Sequence, residues 1–291
     1  MTHSLYGPLA DPAGDAGHQD HPARKGFFTD TSICIGCKAC EVACKEWNVI
    51  PEDGLVWTGE SYDNTSTLGA NSWRHVAFVE QRKPLRTEGE TAVLDAEPLR
   101  WLMSSDVCKH CTHAACLDVC PTGALFRTEF GTVVVQDDVC NGCGYCVAAC
   151  PFGVIERRTG DSDTPNVGLA QKCTLCYDRL GAGMTPACAQ ACPTESIQFG
   201  DLDELRERAT ARLAAMQADG ATDARLYGHD PEDGIGGAGA MFLLLDEPEV
   251  YGLPPDPVAT TRDLPAMWRR AGLAAATLVA GAVASFLGVR G

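Results

Sequence analysis

The sequence has no surplus of positive charge. Its 39 Asp and Glu outnumber its 23 Lys and Arg, which leaves a formal charge of −16 and a pI near 4.7. Such a surface repels a phosphate backbone, so no nucleic acid is expected as a partner. Residues 1–26 hold no apolar run of even five residues and no Arg-Arg pair, and do not read as a signal peptide. Their Pro, Gly, Asp and His content reads as a mobile N-terminal extension without chemistry. No paired-carboxylate, Ser-His-Asp or P-loop constellation is present to carry a chemical step. After His229 there is no histidine, so the C-terminal segment supplies no haem imidazole. Disulfides are not needed either, because the chain is long enough to bury a core without staples.

Cysteine is abundant: sixteen in 291 residues, in four groups of four at positions 34–44, 108–120, 140–150 and 173–192. Group one is Cys34-x2-Cys37-x2-Cys40-x3-Cys44, and group three, Cys140-x2-Cys143-x2-Cys146-x3-Cys150 followed by Pro151, has the same arithmetic. This is the bacterial ferredoxin run for a 4Fe-4S cluster, in which the fourth cysteine ligates the other cluster of a pair. Group two, Cys108-x2-Cys111-x4-Cys116-x3-Cys120-Pro121, carries two extra residues in its second gap, and group four, Cys173-x2-Cys176-x11-Cys188-x3-Cys192-Pro193, carries nine. Zinc also takes Cys-x2-Cys pairs, and group four alone would be ambiguous. Zinc does not require the third cysteine or the Cys-x3-Cys-Pro ending, so the reading is four 4Fe-4S clusters that consume all sixteen thiols.

Groups two and three are separated by 19 residues that read as a hairpin, Ala124–Thr128 and Thr132–Gln136 around Glu129-Phe130-Gly131. They are therefore expected to share ligands: Cys108, Cys111 and Cys116 with Cys150, and Cys140, Cys143 and Cys146 with Cys120. Groups one and four then form the other pair: Cys34, Cys37 and Cys40 with Cys192, and Cys173, Cys176 and Cys188 with Cys44. Sequential pairing, one with two and three with four, satisfies the same spacing.

The 63-residue insert between Cys44 and Cys108 has alternating stretches at Trp73–Glu80 and Thr91–Ala96 and reads as extended pieces in a lid or partner-facing loop. Leu202, Leu205, Ala209, Leu213 and Met216 recur at helical spacing with Gly220 as a stop, which predicts a core-packing helix, and Met241–Leu245 predicts a strand. Gly234, Gly236 and Gly239 spell GxGxxG without the strand before and helix after that a dinucleotide site needs, and read as a turn. His110 and His113, inside group two, read as loop histidines, with outer-shell tuning of a cluster as the functional alternative. From Ala271 to Val289 there are 19 uncharged residues, roughly 28 Å of helix, enough to cross a bilayer. Ala276, Ala280, Ala284 and Gly288 give that helix a small-residue face for packing on other membrane helices. A buried Ala-rich core helix passes the same length test.

The segments CIGCKACEVACKEWN (34–48), CNGCGYCVAACPFG (140–153), KCTLCYDR (172–179) and YGLP (251–254), with the C-terminal apolar helix, resemble the iron–sulfur beta subunit of membrane-bound respiratory formate dehydrogenase. The wider family serves molybdopterin and tungstopterin enzymes of the dimethyl sulfoxide reductase class. The resemblance implies an α+β chain of two ferredoxin-like modules, with a one-with-four and two-with-three crossover. It divides the chain into the extension 1–26, a four-cluster domain 27–200 with its insert at 45–107, a helix with partner-contacting loops at 201–265, and a transmembrane helix at 266–291. Its implied role is to relay electrons from a catalytic molybdopterin or tungstopterin alpha subunit to a membrane cytochrome b gamma subunit. No haem, nucleotide or molybdopterin is expected on this chain alone. The same relay could serve a sulfoxide or polysulfide reductase or a hydrogenase, and a structural metal module is the remaining alternative. All four cysteines of group three are present, where some relatives substitute Trp and hold a 3Fe-4S cluster. The resemblance implies an extracytoplasmic iron–sulfur domain at the cell membrane, whereas Arg269 and Arg270 before the span against Arg290 after it favour the opposite side.

Overall fold

The computed structural model describes residues 9–54, 56–59, 62–82 and 99–288. A helical turn, α1 (Pro12–Asp15), and strand β1 (Lys25–Asp30) lead into helix α2 (Ala39–Asn48). Strands β2 (Arg74–Arg82) and β3 (Leu99–Val107) follow, then the helical turn α3 (Ala115–Asp118) and short strands β4 (Leu125–Arg127) and β5 (Val133–Val135). Next come α4 (Tyr145–Ala149), β6 (Glu156–Arg157), β7 (Ala170–Gln171), α5 (Tyr177–Gly181) and α6 (Ala187–Gln190). The chain continues through β8 (Ile197–Asp201), α7 (Leu202–Ala218), β9 (Arg225–Tyr227) and β10 (Ala240–Leu244) to α8 (Leu264–Gly288).

The architectural centre is a four-stranded sheet in the order β8-β1-β10-β9, with β1 parallel to β10 and antiparallel to β8. Alternate residues of its two inner strands face opposite ways. Phe28, Met241 and Leu243 pack with Leu202, Leu205 and Ala209 of α7. Phe27, Ala240, Phe242 and Leu244 face the cysteine-bearing loops, where Cys40, Cys44, Cys108, Cys173 and Cys188 complete the same core. Burial on both faces explains why β10 reads as an unbroken apolar run, AMFLL, rather than an alternating one. Because Thr29 of β1 stands opposite Ile197 of β8, the start of group one and the end of group four lie at the same end of the sheet.

The helix expected over 202–216 and the strand near 241–245 form as α7 and β10, and the hairpin between groups two and three is β4–β5. Three expectations change. The N-terminal extension packs from its ninth residue on: Pro12 and Ala13 are buried, and Arg24 donates to Thr112 Oγ1 at 2.7 Å and to the His110 carbonyl at 2.8 Å. Its order comes from those tertiary contacts, which composition does not encode; residues 1–8 lie outside the described residues. The insert is more than a lid, because β2 and β3 pair over nine residues and the base of this ribbon, Trp73 to Val76 with Ser104, Ser105 and Val107, is buried among the cysteine groups. The Thr91–Ala96 stretch lies outside the described residues. Finally, the apolar tail helix starts at Leu264, before the charge-free segment, and none of its residues is buried, so it does not pack in this chain's own core. It is long and apolar enough to cross a membrane, with a mean hydropathy of 1.8.

Candidate metal centres

In all four groups the residue before the second cysteine has a left-handed backbone: Gly36 (φ 64°), His110 (φ 44°), Gly142 (φ 69°) and Leu175 (φ 57°). Such a reversal curls the loop so that backbone N–H groups gather on its inner side, and the Leu175 N–H donates to Cys173 Sγ at 3.3 Å. Glycine also answers a lack of space at two of these sites: a Cβ on Gly36 would lie 2.6 Å from Phe78 Cε1, and one on Gly142 would lie 2.5 Å from the Gly168 carbonyl oxygen. His110 and Leu175 hold the same conformation with side chains, a strain of order 1–3 kcal/mol each, and both are pinned by burial. The third and fourth cysteines of a group stand four residues apart, about 6 Å along a helix axis. Cys40 and Cys44 lie within α2, while Cys120, Cys150 and Cys192 fall just beyond α3, α4 and α6.

Cys34, Cys37, Cys40 and Cys192 line one pocket. Cys108, Cys111, Cys116 and Cys150 line another, together with His110, Phe152 and Lys172. The Cys44 thiol has those of Cys173, Cys188 and Cys176 as electrostatic neighbours, and Cys146 has those of Cys140, Cys120 and Cys143. Consecutive sets are also neighbours: Cys40 interacts with Cys188, Cys173 with Cys108, and Cys116 with Cys146. Burial pushes nine of the thiols up, among them Cys40 and Cys146 to about 11 and Cys173 to about 12. A metal that takes them as thiolates must therefore displace protons. Cys120 moves the other way: burial alone would raise it, but hydrogen bonds from the Leu125 backbone and the Thr122 side chain bring it below the ordinary thiol value.

The surroundings fit an anionic group. Arg74 is 2 % exposed and its Nη2 donates to Cys188 Sγ at 3.3 Å. Its Nη1 donates to the Ser105 carbonyl at 3.2 Å and to Ser105 Oγ at 3.3 Å, and Ser105 Oγ lies 3.2 Å from Cys40 Sγ. Burial works to lower the Arg74 pKa, but Cys188, Cys40, Cys173 and Cys44 together hold it above the usual guanidinium value. The buried Lys172 ammonium donates to the Val133 and Cys173 carbonyls. His110 is not a loop histidine in the exposed sense: it is 1 % exposed, and burial beside Lys172, Arg24 and Arg127 drives its pKa well down. Its Nδ1 accepts from the Val133 N–H at 3.1 Å, which leaves the proton on Nε2, a buried atom with no partner, and His110 lines the same pocket as Cys108, Cys111, Cys116 and Cys150. Unpartnered buried donors and cations suit a cubane whose core and four thiolates sum to about −2. Among the described residues no three His, Cys, Asp or Glu side chains are grouped to hold a single metal ion; the thiols ring voids instead.

Cysteine spacing carried no sign of Arg74, Ser105 or Lys172, and it left His110 unresolved. The GxGxxG-like segment is a packing surface: the Thr112 and His113 N–H groups donate to the Gly237 and Ile235 carbonyls, and the Gly239 N–H donates to Lys109. Close backbone approach accounts for its glycines.

Two family models, each describing a 4Fe-4S dicluster domain, match the chain, one over residues 33–124 and the other over residues 99–202. These two tandem ferredoxin-type domains, with all sixteen cysteines inside them, establish 4Fe-4S binding, and the helix and strand content is mixed. The chain is 40% identical to a formate dehydrogenase iron–sulfur subunit of Haemophilus influenzae over 243 residues, covering 82% of this chain and 71% of that one. It is 38% identical to the nitrate-inducible formate dehydrogenase iron–sulfur subunit of Escherichia coli over 275 residues, 93% and 85% of the two chains. The anaerobic dimethyl sulfoxide reductase of Escherichia coli has a subunit that is 35% identical over 184 residues, 63% and 76% of the two chains.

Proposed function

This chain belongs to the family of formate dehydrogenase iron–sulfur subunits, and from that membership we propose how its residues build the electron-transfer relay that it contributes to a respiratory oxidoreductase complex. When bound, the clusters supply one-electron carriers; the chain holds them, spaces them and excludes water. The reading is four 4Fe-4S clusters in two pseudo-symmetric pairs. Cys34, Cys37, Cys40 and Cys192 hold the first, and Cys44, Cys173, Cys176 and Cys188 the second. Cys108, Cys111, Cys116 and Cys150 hold the third, and Cys120, Cys140, Cys143 and Cys146 the fourth. The observation that carries it is the joining of distant thiols around common voids, Cys192 with group one and Cys150 with group two.

The contacts between consecutive sets support a single file from first to fourth. Both ends of that file meet solvent, since Cys37 and Cys143 are the two exposed cysteines, flanked by exposed Ile35 and Val42 at one end and Tyr145 at the other. On this reading one end meets a catalytic molybdopterin or tungstopterin subunit oxidising formate, and the other a membrane cytochrome b subunit. Helix α8 crosses the bilayer beside that subunit, because in lipid one segment can satisfy its backbone only as a helix.

Iron and sulfide analysis of the anaerobically purified complex tests the count: about sixteen of each per chain are expected, and eight or fewer overturns it. A structural zinc module would be colourless and silent in electron paramagnetic resonance. Truncation after Asp263 should leave the cluster content intact and release the subunit from membranes; a truncated chain that still fractionates with membranes removes α8 as the anchor.

A further inference from the structure

We propose that Arg74, acting with Ser105, is a positioning residue that bridges a thiolate of the first cluster to a thiolate of the second and raises the reduction potentials of both. The inference rests on the ligand sets given above and adds to them a residue that ligates nothing.

The hydrogen-bond directions are fixed by chemistry. A metal-bound thiolate carries no proton and can only accept, and a guanidinium can only donate. Arg74 therefore gives Nη2–H to Cys188 Sγ at 3.3 Å and Nη1–H to Ser105 Oγ at 3.3 Å. With that lone pair occupied, the Ser105 hydroxyl hydrogen is left for Cys40 Sγ, 3.2 Å away. A continuous line of donors thus joins a ligand of one cluster to a ligand of the next.

Charge balance around Arg74 leads to the same thiolates. Arg74 is buried against the Phe27 ring, 4.9 Å from its centroid, and no carboxylate among the described residues pairs with it. Lys109, equally buried, has its own carboxylate, Asp106. A buried cation without a partner is unfavourable, so the anions that compensate Arg74 are the thiolates around it. Arginine keeps its proton at any physiological pH, and the role requires transfer of neither a proton nor an electron by the side chain. A fixed positive charge and hydrogen bonds to sulfur favour the more negative, reduced cluster and raise its potential. Both residues come from the buried base of the β2–β3 ribbon, Arg74 opening β2 and Ser105 opposite Val76, so the insert acquires an electrostatic task.

The test is an anaerobic redox titration of the intact complex, followed by electron paramagnetic resonance, with signals assigned by Cys37→Ser for the first cluster and Cys176→Ser for the second. Arg74→Gln should lower both potentials, the second by at least tenfold in the one-electron equilibrium, about 59 mV, and leave the third and fourth unmoved. Arg74→Lys, which keeps the charge and loses the fork, should recover part of the shift. Ser105→Ala should lower the first potential alone. Unshifted potentials in Arg74→Gln, or an equal shift of all four, overturn the proposal. Should Arg74→Gln lose its clusters, Ser105→Ala decides: an unmoved first potential at full iron content overturns the bridge. Failure of the ligand sets looks different, as Cys176→Ser would then abolish a signal other than the second.

Discussion

Groups two and three sit at either side of the β4–β5 hairpin, and their thiols meet with hardly more than that turn between them. Groups one and four meet only because β1 and β8, from opposite ends of the cysteine region, pair in one sheet whose other face is covered by α7. The first arrangement is local and has few apolar residues of its own, chiefly Leu117, Leu125, Val133 and Ile155. The second borrows a protein core, Phe27, Phe242 and Leu244 among others, and is stapled by the ribbon base. The same loop conformation and the same thiol count can therefore rest on ligands in one half and on ordinary hydrophobic packing in the other.

Removing the metal is the strongest way to break this comparison. Structural metal sites contribute roughly 10–16 kcal/mol to the folding of small domains. After full chelation, hydrogen exchange should show residues 108–150 unprotected while β1, β8, β10 and α7 keep partial protection. Equal loss in both halves would mean that the sheet does not support groups one and four independently.

Single-ligand substitutions come next. Cys44→Ser and Cys173→Ser should damage the same cluster and cost about four irons each, with Cys34, Cys37, Cys40 and Cys192 still complete. Cys150→Ser should remove the third cluster and spare the fourth. Loss of the first cluster alone on Cys44→Ser would sink the crossover.

Backbone substitutions should have a smaller effect, similar in both halves. Gly36→Ala and Gly142→Ala combine positive φ with Cβ contacts of 2.6 and 2.5 Å, and each should cost roughly 1–3 kcal/mol, read as a lower midpoint for thermal cluster loss. Gly183→Ala has a similar φ of 71° but nothing within 4 Å of its Cβ, and should cost nearer 1 kcal/mol. Three equal shifts would show that the dihedral alone matters and the tight packing does not.

The weakest probe concerns how the insert docks on group one. Lys38 pairs with Asp63 at 3.2 Å, and Asp63 accepts from His75 Nε2 at 2.6 Å. Partial burial raises the Asp63 pKa, but the bond and charge of His75, helped by the Thr65 N–H and Lys38, lower it overall. A carboxylate with a lowered folded pKa stabilises above its unfolded value, near 3.9, and that stability is lost as pH falls through the folded pKa. Asp63→Asn should therefore cost under about 1 kcal/mol at pH 7, with the difference fading in acid below about pH 4. A penalty that persists to pH 2 would assign the effect to shape rather than charge.

Much of the architecture was legible in the sequence wherever periodicity or spacing encoded it. The 3.6-residue pattern of Leu202, Leu205 and Ala209 marks α7, the apolar run marks β10, and the spacing of sixteen cysteines marks four groups. The sheet itself was not legible, because nothing local in Lys25–Asp30 says that its partners are Ile197–Asp201 and Ala240–Leu244. The polar surroundings of the thiols were hidden for the same reason: Arg74 lies far from any cysteine in sequence, and Ser105, though close to Cys108 in sequence, meets Arg74 and Cys40 only when β2 pairs with β3. His110 and Leu175 concealed a repeat that glycine advertised at 36 and 142, since their left-handed backbone is imposed by packing rather than by residue type.

The pairing of β1 with β8 and β10 also sets a schedule for biogenesis. On the ligand sets proposed here, the third and fourth sites are chemically complete once Cys150 has left the ribosome. The first site waits for Cys192, and its supporting sheet waits for Leu244. At roughly 5–20 residues per second, the chain spends several seconds with an N-terminal strand that has no partner and three thiols, Cys34, Cys37 and Cys40, that have no fourth. A nascent chain of this design needs protection from oxidation at its N-terminus while its middle is already able to accept metal.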